Sequence, residues 1–396
     1  MSQYLSVRDL DVAGKRVFLR LDLNVPIKGG LIKDDSRIKA ALPTLNHLLD
    51  RGAAVIACSH LGRPKGKVLP EVSLAPVAAR IRELLPGREV LFAQDVVGPD
   101  ASAKLSSLKP GQVLLLENVR FEPGETKDDP VLAAKFRAMA DLYVNDAFGT
   151  VHRAHASVSA AAKLFPSAAT GFLLERELDY LVGKLGNPEH PYTAFLGGAK
   201  VSDKIPVIRR LVDRVDTFCV GGAMAFTFIS AEGRPTGTSL TEPDLRDTCR
   251  EILSQAWEKG VRFLLPSDHR AARSLEEGEA VSVIATDAFP EGLAGYDIGP
   301  ETARVFSAEA ARSRTIFWNG PMGVFEKPAF SEGTMALARA VAESGAVTII
   351  GGGDSVAAVN QAGVADKISH ISTGGGASLE LLAGESLPGV EVLTKR

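Results

Sequence analysis

At 396 residues the chain is long enough for two or three domains at roughly 150 residues each, with ample core. Its 45% hydrophobic and 23% charged content is ordinary for a soluble globular protein. A formal net charge of −3 argues against broad nucleic-acid or membrane-surface binding, while leaving room for a local basic pocket. The cysteines Cys58, Cys219 and Cys249 are odd in number, far apart and without metal-ligand spacing, so neither a disulfide frame nor a zinc site is expected. The start, Met1-Ser2-Gln3-Tyr4-Leu5-Ser6, lacks a charged-then-apolar signal pattern. No apolar run reaches the ~18 residues of a membrane span. A reduced, cytoplasmic compartment follows, with neither nucleic acid nor membrane as partner.

From the N-terminus, short apolar runs alternate with longer amphipathic patterns. The runs Val17–Leu21, Ala53–Cys58, Val113–Leu116 and Leu142–Val144 read as strands. Ile38, Ala41, Leu42, Leu45, Leu48 and Leu49 keep a helical period. That helix opens at Asp35-Ser36, good N-cap chemistry, and stops at Gly52; Pro43 inside it predicts a kink or a late start. Ligands of open parallel sheets bind outside the carboxyl ends of strands. Arginines and a histidine recur at those ends: Arg20 ends the first strand, His60 and Arg63 follow the second, Arg120 the third and Arg153 the fourth. Arg37 opens the first helix. The planar guanidinium fork suits phosphate and carboxylate, so the set fits a small polyanion. Asp22 and Asn24 are suited to the hydroxyls of the same ligand.

Phe172, Leu173, Leu174, Leu178, Leu181, Val182 and Leu185 keep a helical period from Gly171 to Gly186-Asn187-Pro188, a strong stop. This helix is the expected junction between two domains. A second series of strands follows: Thr193–Leu196, Thr217–Val220, Phe263–Leu265, Thr315–Trp318 and Val347–Ile350. Strands separated by helices mean βαβ units. The fold class is therefore α/β, with two Rossmann-like domains built on parallel sheets, joined by a helix and separated by a cleft.

The second half ends its strands in glycine instead of arginine. Gly197-Gly198-Ala199-Lys200, Gly221-Gly222, Asn319-Gly320-Pro321 and Gly351-Gly352-Gly353-Asp354-Ser355 each follow a strand, and Thr373-Gly374-Gly375-Gly376-Ala377 opens a last helical pattern. Consecutive glycines let a backbone approach a phosphate, and a helix starting after them aims N–H groups at that anion. Asp354 at the same point can hold Mg²⁺ against the phosphates. Lys200 and Lys204 would share one face if helical. Neither a Walker A pattern nor a G-x-G-x-x-G in strand context is present, which weighs against a nicotinamide-dependent dehydrogenase. A two-lobed anion-binding protein without catalysis would have no use for both lysines and the Asp354 site.

Six motifs in order carry a resemblance. They are Arg20-Leu21-Asp22-Leu23-Asn24-Val25-Pro26, Ser59-His60-Leu61-Gly62-Arg63-Pro64, His152-Arg153-Ala154-His155-Ala156-Ser157, Gly197 to Lys204, Asn319 to Glu326, and the triple glycine with Asp354-Ser355. From about Val17 to Leu382 the chain resembles the phosphoglycerate kinase family. The resemblance implies a glycolytic phosphotransferase that moves a phosphoryl group between 1,3-bisphosphoglycerate and ADP, giving 3-phosphoglycerate and ATP, with Mg²⁺. It implies that Asp22, Asn24, Arg37, His60, Arg63, Arg120 and Arg153 hold the phosphoglycerate. It assigns Lys200, Gly295, Asn319, Glu326 and Gly352, Gly353, Asp354 and Ser355 to the nucleotide, with Gly221 and Gly222 beside them and Asp354 on the metal. Arg20, Lys204 and the helix start Gly374, Gly375 and Gly376 would attend the transferring phosphoryl. The implied domains are residues 1–170 for phosphoglycerate, rejoined by 384–396, and 187–383 for nucleotide, in a monomer.

Overall fold

The computed structural model describes residues 3–276 and 280–396. The chain divides into two compact units: residues up to Asp179 together with Ser386–Arg396, and Tyr180–Glu385.

The first unit carries strands β1 (Arg16–Leu21), β2 (Ile27–Lys28), β3 (Leu31–Ile32), β4 (Ala54–Cys58), β5 (Val90–Phe92), β6 (Val113–Leu115), β7 (Leu142–Asp146) and β8 (Ala168–Thr170). Six of them form one parallel sheet in the order β5-β6-β4-β1-β7-β8, while β2 and β3 make a small hairpin. A parallel sheet is covered on both faces, so its strands are continuous apolar runs. Accordingly β4 is wholly buried, and β1 is buried from Val17 to Leu21 with Arg20 among its apolar neighbours. The strand order reverses between β1 and β7.

The helix expected after the first strand runs Ser36–Asp50. Asp35 stands at its N-cap position but caps nothing: its carboxylate pairs with Lys39 at 2.9 Å and Arg80 at 2.8 Å. The Ser36 N–H is accepted by Asp34 Oδ1 at 2.8 Å instead. Pro43 lies inside the helix without delaying its start; it lacks only the amide that would reach the Lys39 carbonyl.

The second unit holds β9 (Tyr192–Leu196), β10 (Thr217–Val220), β11 (Arg262–Leu264), β12 (Asp268–Ala272), β13 (Ser282–Ala285), β14 (Ala294–Ile298), β15 (Thr315–Asn319), β16 (Val347–Gly351) and β17 (His370–Ile371). Its parallel sheet has the doubly wound order β11-β10-β9-β15-β16-β17, reversing between β9 and β15. A separate antiparallel sheet, β13-β12-β14, was not expected from the sequence. Polar residues hide it: Asp268 and His269 of β12 are buried, so no apolar run announces the strand.

The junction helix is α-helical over Phe172–Leu178 and π-helical over Asp179–Lys184, and the division between the units falls where the geometry changes. Asp146 Oδ1, at the end of β7, accepts the N–H groups of Leu173 at 2.8 Å and Leu174 at 3.1 Å. Thr44 Oγ1 accepts that of Phe172 at 2.9 Å. The cysteines are buried and free. Among the described residues no helix is long and apolar enough to cross a membrane.

Candidate functional site

The first unit concentrates positive charge at the carboxyl ends of its central strands. Arg20 is fully buried; its Nε donates to Ser157 Oγ at 2.8 Å and its Nη1 to the Leu21 carbonyl, while Nη2 has no partner. Arg120, 7% exposed, donates from Nη1 to the Gly62 carbonyl at 2.7 Å, and its Nε is likewise buried without a partner. Burial, then the fields of Arg20 and Arg153, push its guanidinium down to about 10. Arg37 is ion-paired to Asp22, and Arg153 Nε donates to His152 Nε2 at 2.9 Å. Arg63 is exposed. Asn24 Oδ1 accepts the Gly62 N–H at 2.9 Å, tying the loop after β1 to the loop after β4.

Histidines sit among these arginines and are held neutral. His60 is 5% exposed, and its Nδ1 lies 4.0 Å from Asp22 Oδ1. Burial first, then Arg20, Arg120 and Arg37, hold it well below the usual imidazole range. His155 falls to about 3 through burial and the fields of Arg20, Arg120 and Arg153. Its Nδ1 stands 3.9 Å from Glu125 Oε1. Glu125 is buried, and burial raises its carboxyl above the usual range, with Arg20 only partly opposing that shift. His155, Glu125 and Ser157 had no assigned role from the sequence. The signal was faint: His155 and Ser157 fall in a quoted motif but outside strand ends, and Glu125 sits in a 3₁₀ turn, Glu125–Lys127, that looks like surface.

In the second unit a cleft of about 520 Å³ opens where the strand order reverses. Its walls include Gly197 and Gly198 after β9, Asn319 and Gly320 at the end of β15, Gly352 to Ser355 after β16, and Gly375 and Gly376. Close backbone packing explains the glycines. A Cβ on Gly320, whose φ is +95°, would stand 2.1 Å from the Gly197 carbonyl oxygen. Gly352, with φ +90°, caps the helix Gly353–Gln361. Ser355 Oγ accepts the Gly320 N–H at 2.6 Å and so joins two of the turns. Lys200, Asp203 and Lys204 line the same cleft. The two lysines do not share a helical face: both precede the helix Ile205–Leu211, Lys200 in irregular chain and Lys204 in the turn at its N-cap. Lys204 Nζ donates to Asn319 Oδ1, and Asn319 Nδ2 is buried without a partner. Burial lowers the Lys204 ammonium, opposed by Asp203 and Asp354.

Gly221, Gly222, Gly295, Glu326 and Gly374 are not among the cleft walls. Gly222 packs on Gly198, with an added Cβ 2.6 Å from the Gly198 nitrogen. Gly295 lies on β14, its N–H accepted by Ser239 Oγ at 2.9 Å, beneath the Phe226 ring. Gly374 accepts from Ala377 N at 3.0 Å, shaping the turn into the last glycine-led helix, Gly376–Leu382. Glu326 is exposed.

A family model described as phosphoglycerate kinase matches residues 7–385. The chain belongs to the phosphoglycerate kinase family. It is thereby a phosphotransferase with an ATP-binding, glycolytic function, and the dehydrogenase alternative falls. The phosphoglycerate kinase of Moorella thermoacetica is 53% identical over 392 residues, covering 99% of each chain. That of Akkermansia muciniphila is 53% identical over 396 residues, covering 99% of this chain and 98% of the other. Among solved structures, phosphoglycerate kinase from Coxiella burnetii superposes with a TM-score of 0.91 at 41% identity, covering 98% of each chain. The Pyrococcus horikoshii phosphoglycerate kinase gives 0.83 at 33% identity with the same coverage.

Proposed function

We propose that the arginine cluster of the first unit binds 3-phosphoglycerate or 1,3-bisphosphoglycerate, and that the glycine-walled cleft of the second binds ATP or ADP with Mg²⁺. The observation that carries the reading is the pair of buried guanidinium nitrogens, Arg20 Nη2 and Arg120 Nε, that lack any acceptor inside a cluster of like charge. A buried unpaired donor costs about 1–3 kcal/mol. A bound polyanion supplies acceptors and relieves the repulsion together. Arg37, Arg63 and Arg153 would hold its phosphate, with Asp22, Asn24 and His60 on its hydroxyls and carboxylate.

On the nucleotide side the N–H groups opening the helix Gly353–Gln361 and the ammonium groups of Lys200 and Lys204 meet the phosphates. Gly221, Gly222, Gly295 and Glu326 border the nucleoside end on the family resemblance. The residues fit Mg²⁺ as a shared ion. Among the described residues no group of three His, Cys, Asp or Glu side chains could hold a metal alone, but exposed Asp354 sits in the cleft wall. One carboxylate completed by water and substrate phosphates is ordinary Mg²⁺ chemistry. When bound, the ion neutralises phosphate charge.

Neither direction of transfer needs a base, because the phosphoglycerate carboxylate and the ADP phosphate are already ionised near neutral pH. The protein's work is positioning and charge neutralisation. Arg20, Lys204 and the turn Gly374–Gly376 attend the transferring group, collecting charge that develops on its equatorial oxygens. The monomer and a cytoplasmic location complete the reading. A coupled assay with ATP, Mg²⁺ and 3-phosphoglycerate tests the reaction. Calorimetry of 3-phosphoglycerate on Arg63→Ala and Arg153→Ala tests the site: affinity should fall in both while the thermal melts stay unchanged. Wild-type affinity in both variants would misplace the basic site.

A further inference from the structure

The turn between Lys200 and Lys204 is held from outside by a carboxylate. Glu242, 40 residues on from Ser202, accepts the Ser202 N–H on Oε2 at 3.0 Å and the Ser202 hydroxyl on Oε1 at 2.7 Å. The Val201 N–H donates to it as well. Ser202 stands midway between the two lysines. Glu242 occupies the N-cap position of the 3₁₀ turn Pro243–Leu245, but its side chain does not cap that turn. Its reach is committed to the lysine turn instead. Burial works against its charge, yet the bonds from Ser202 and Val201 and the field of Lys200 outweigh burial and hold the carboxyl below its usual range.

Glu242 is itself fixed. Its N–H donates to Thr227 Oγ1 at 3.1 Å, and Thr227 is buried in the helix Met224–Ala231. Earlier in the same loop the Thr238 N–H donates to the Leu293 carbonyl at 2.8 Å, and Ser239 Oγ accepts the N–H of Gly295 on β14 at 2.9 Å. The loop 238–242 is thus tied at one end beside β14 and at the other to the turn whose lysines line the cleft. That turn has its own closure: the Lys204 and Ile205 N–H groups donate to the Val201 carbonyl at 2.8 and 3.0 Å. Closure fixes the shape of the turn, and Glu242 fixes where it stands. Lysine meets phosphate as a point charge on a flexible four-carbon stem, so the placing of its backbone matters.

Resting on the reading of Lys200 and Lys204 as groups that meet nucleotide phosphate, we propose that Glu242 is a positioning residue for phosphoryl transfer: through Ser202 it holds the lysine turn in place against the glycine-walled cleft. It touches neither substrate. The role is geometric, and that decides which substitutions preserve it. In Glu242→Gln the amide oxygen accepts the Ser202 N–H while the amide nitrogen donates to Ser202 Oγ, a hydroxyl that turns to accept. Glu242→Asp keeps the charge but is one methylene too short for both bonds. Because the turn retains its bonds to the Val201 carbonyl, losing the tie shifts it without unfolding it.

The test measures kcat, Mg-ADP and 3-phosphoglycerate affinity by calorimetry, and melting temperature on the full chain. The variants are Glu242→Ala, Glu242→Asp and Glu242→Gln, with Lys200→Ala and Lys204→Ala beside them. Glu242→Ala and Glu242→Asp should each weaken Mg-ADP binding and lower kcat by about threefold to tenfold. Glu242→Gln should stay within about twofold of wild type in both. The 3-phosphoglycerate affinity and the melting temperature should hold throughout. Normal kcat and Mg-ADP affinity in Glu242→Ala, beside large losses in the lysine variants, overturn the positioning role and leave the lysine reading standing. A Gln variant as poor as Ala beside a normal Asp variant overturns it too, since charge and not the tie would then matter. A lowered melting temperature with loss of affinity for both substrates would make the contact merely structural and equally overturn the role. Normal kcat and Mg-ADP affinity in both lysine variants defeat the underlying reading itself.

Discussion

Single side chains set how this protein answers to pH and, on the proposed assignment, to Mg²⁺. His155 and His269 are buried with pKa values depressed to about 3 and about 4, against about 6.5 in the unfolded chain. Below that unfolded value the unfolded state binds more protons than the native one. Their contribution is therefore full above about pH 6.5 and is lost progressively as pH falls toward 4 and 3. His269 offers the clean test, since it lies in the second unit, stacks on Phe226 at 4.5 Å, and its Nε2 has no partner. His269→Leu should narrow the gap between melting temperatures at pH 7 and pH 5; an unchanged gap would place the acid sensitivity elsewhere. At the proposed Mg²⁺ position, Asp354→Asn would replace a negative ligand for a hard cation by an amide. Mg-ADP affinity by calorimetry should fall by roughly tenfold, one charge-assisted contact's worth. The affinity for 3-phosphoglycerate should hold. Unchanged Mg-ADP affinity and turnover would remove Asp354 from the metal.

At the scale of elements, the turns after β9, β15 and β16 are built from mutual backbone contact. Gly320→Ala forces a Cβ to within 2.1 Å of the Gly197 carbonyl at φ +95°. It should cost at least about 3 kcal/mol by denaturant melts, combining strain with overpacking. Gly352→Ala, whose Cβ would meet the Asn319 side chain, nearest at Nδ2 3.0 Å, should cost about 1–3 kcal/mol and weaken nucleotide binding more than it weakens the fold. A larger stability loss at Gly352 than at Gly320 would contradict this ranking. These turns were readable in the sequence because glycine pairs follow β-branched runs, and the central strands because both faces are buried. The strands β5, β8 and β17 were not readable: at three, three and two residues they hold too little pattern to stand out. The position of Arg20, His60 and Arg120 followed from the strand-end rule. Glu125 could not be found that way, since its burial depends on Ser157, 32 residues away.

Across the whole molecule, the segment Ser386–Arg396 belongs to the first unit although the second precedes it in the chain. Leu5 N donates to the Thr394 carbonyl at 2.8 Å, Thr394 N to that of Ala168 at 2.9 Å, and Arg396 pairs with Asp9. Gly389 N donates to the Val151 carbonyl at 2.8 Å, directly before His152 and Arg153. Removing residues 386–396 should therefore raise hydrogen exchange in β8 and around Val151 and weaken 3-phosphoglycerate binding, with exchange in β9 and β15 unchanged. Uniform loosening of both units would refute that division of labour. The same connectivity orders events during synthesis. A chain leaving the ribosome presents every strand of the second sheet before it delivers the residues that finish the first. The second unit can be complete while the first still waits on its closing segment, so on the proposed assignment of ligands a nascent chain should gain affinity for ATP earlier than for 3-phosphoglycerate.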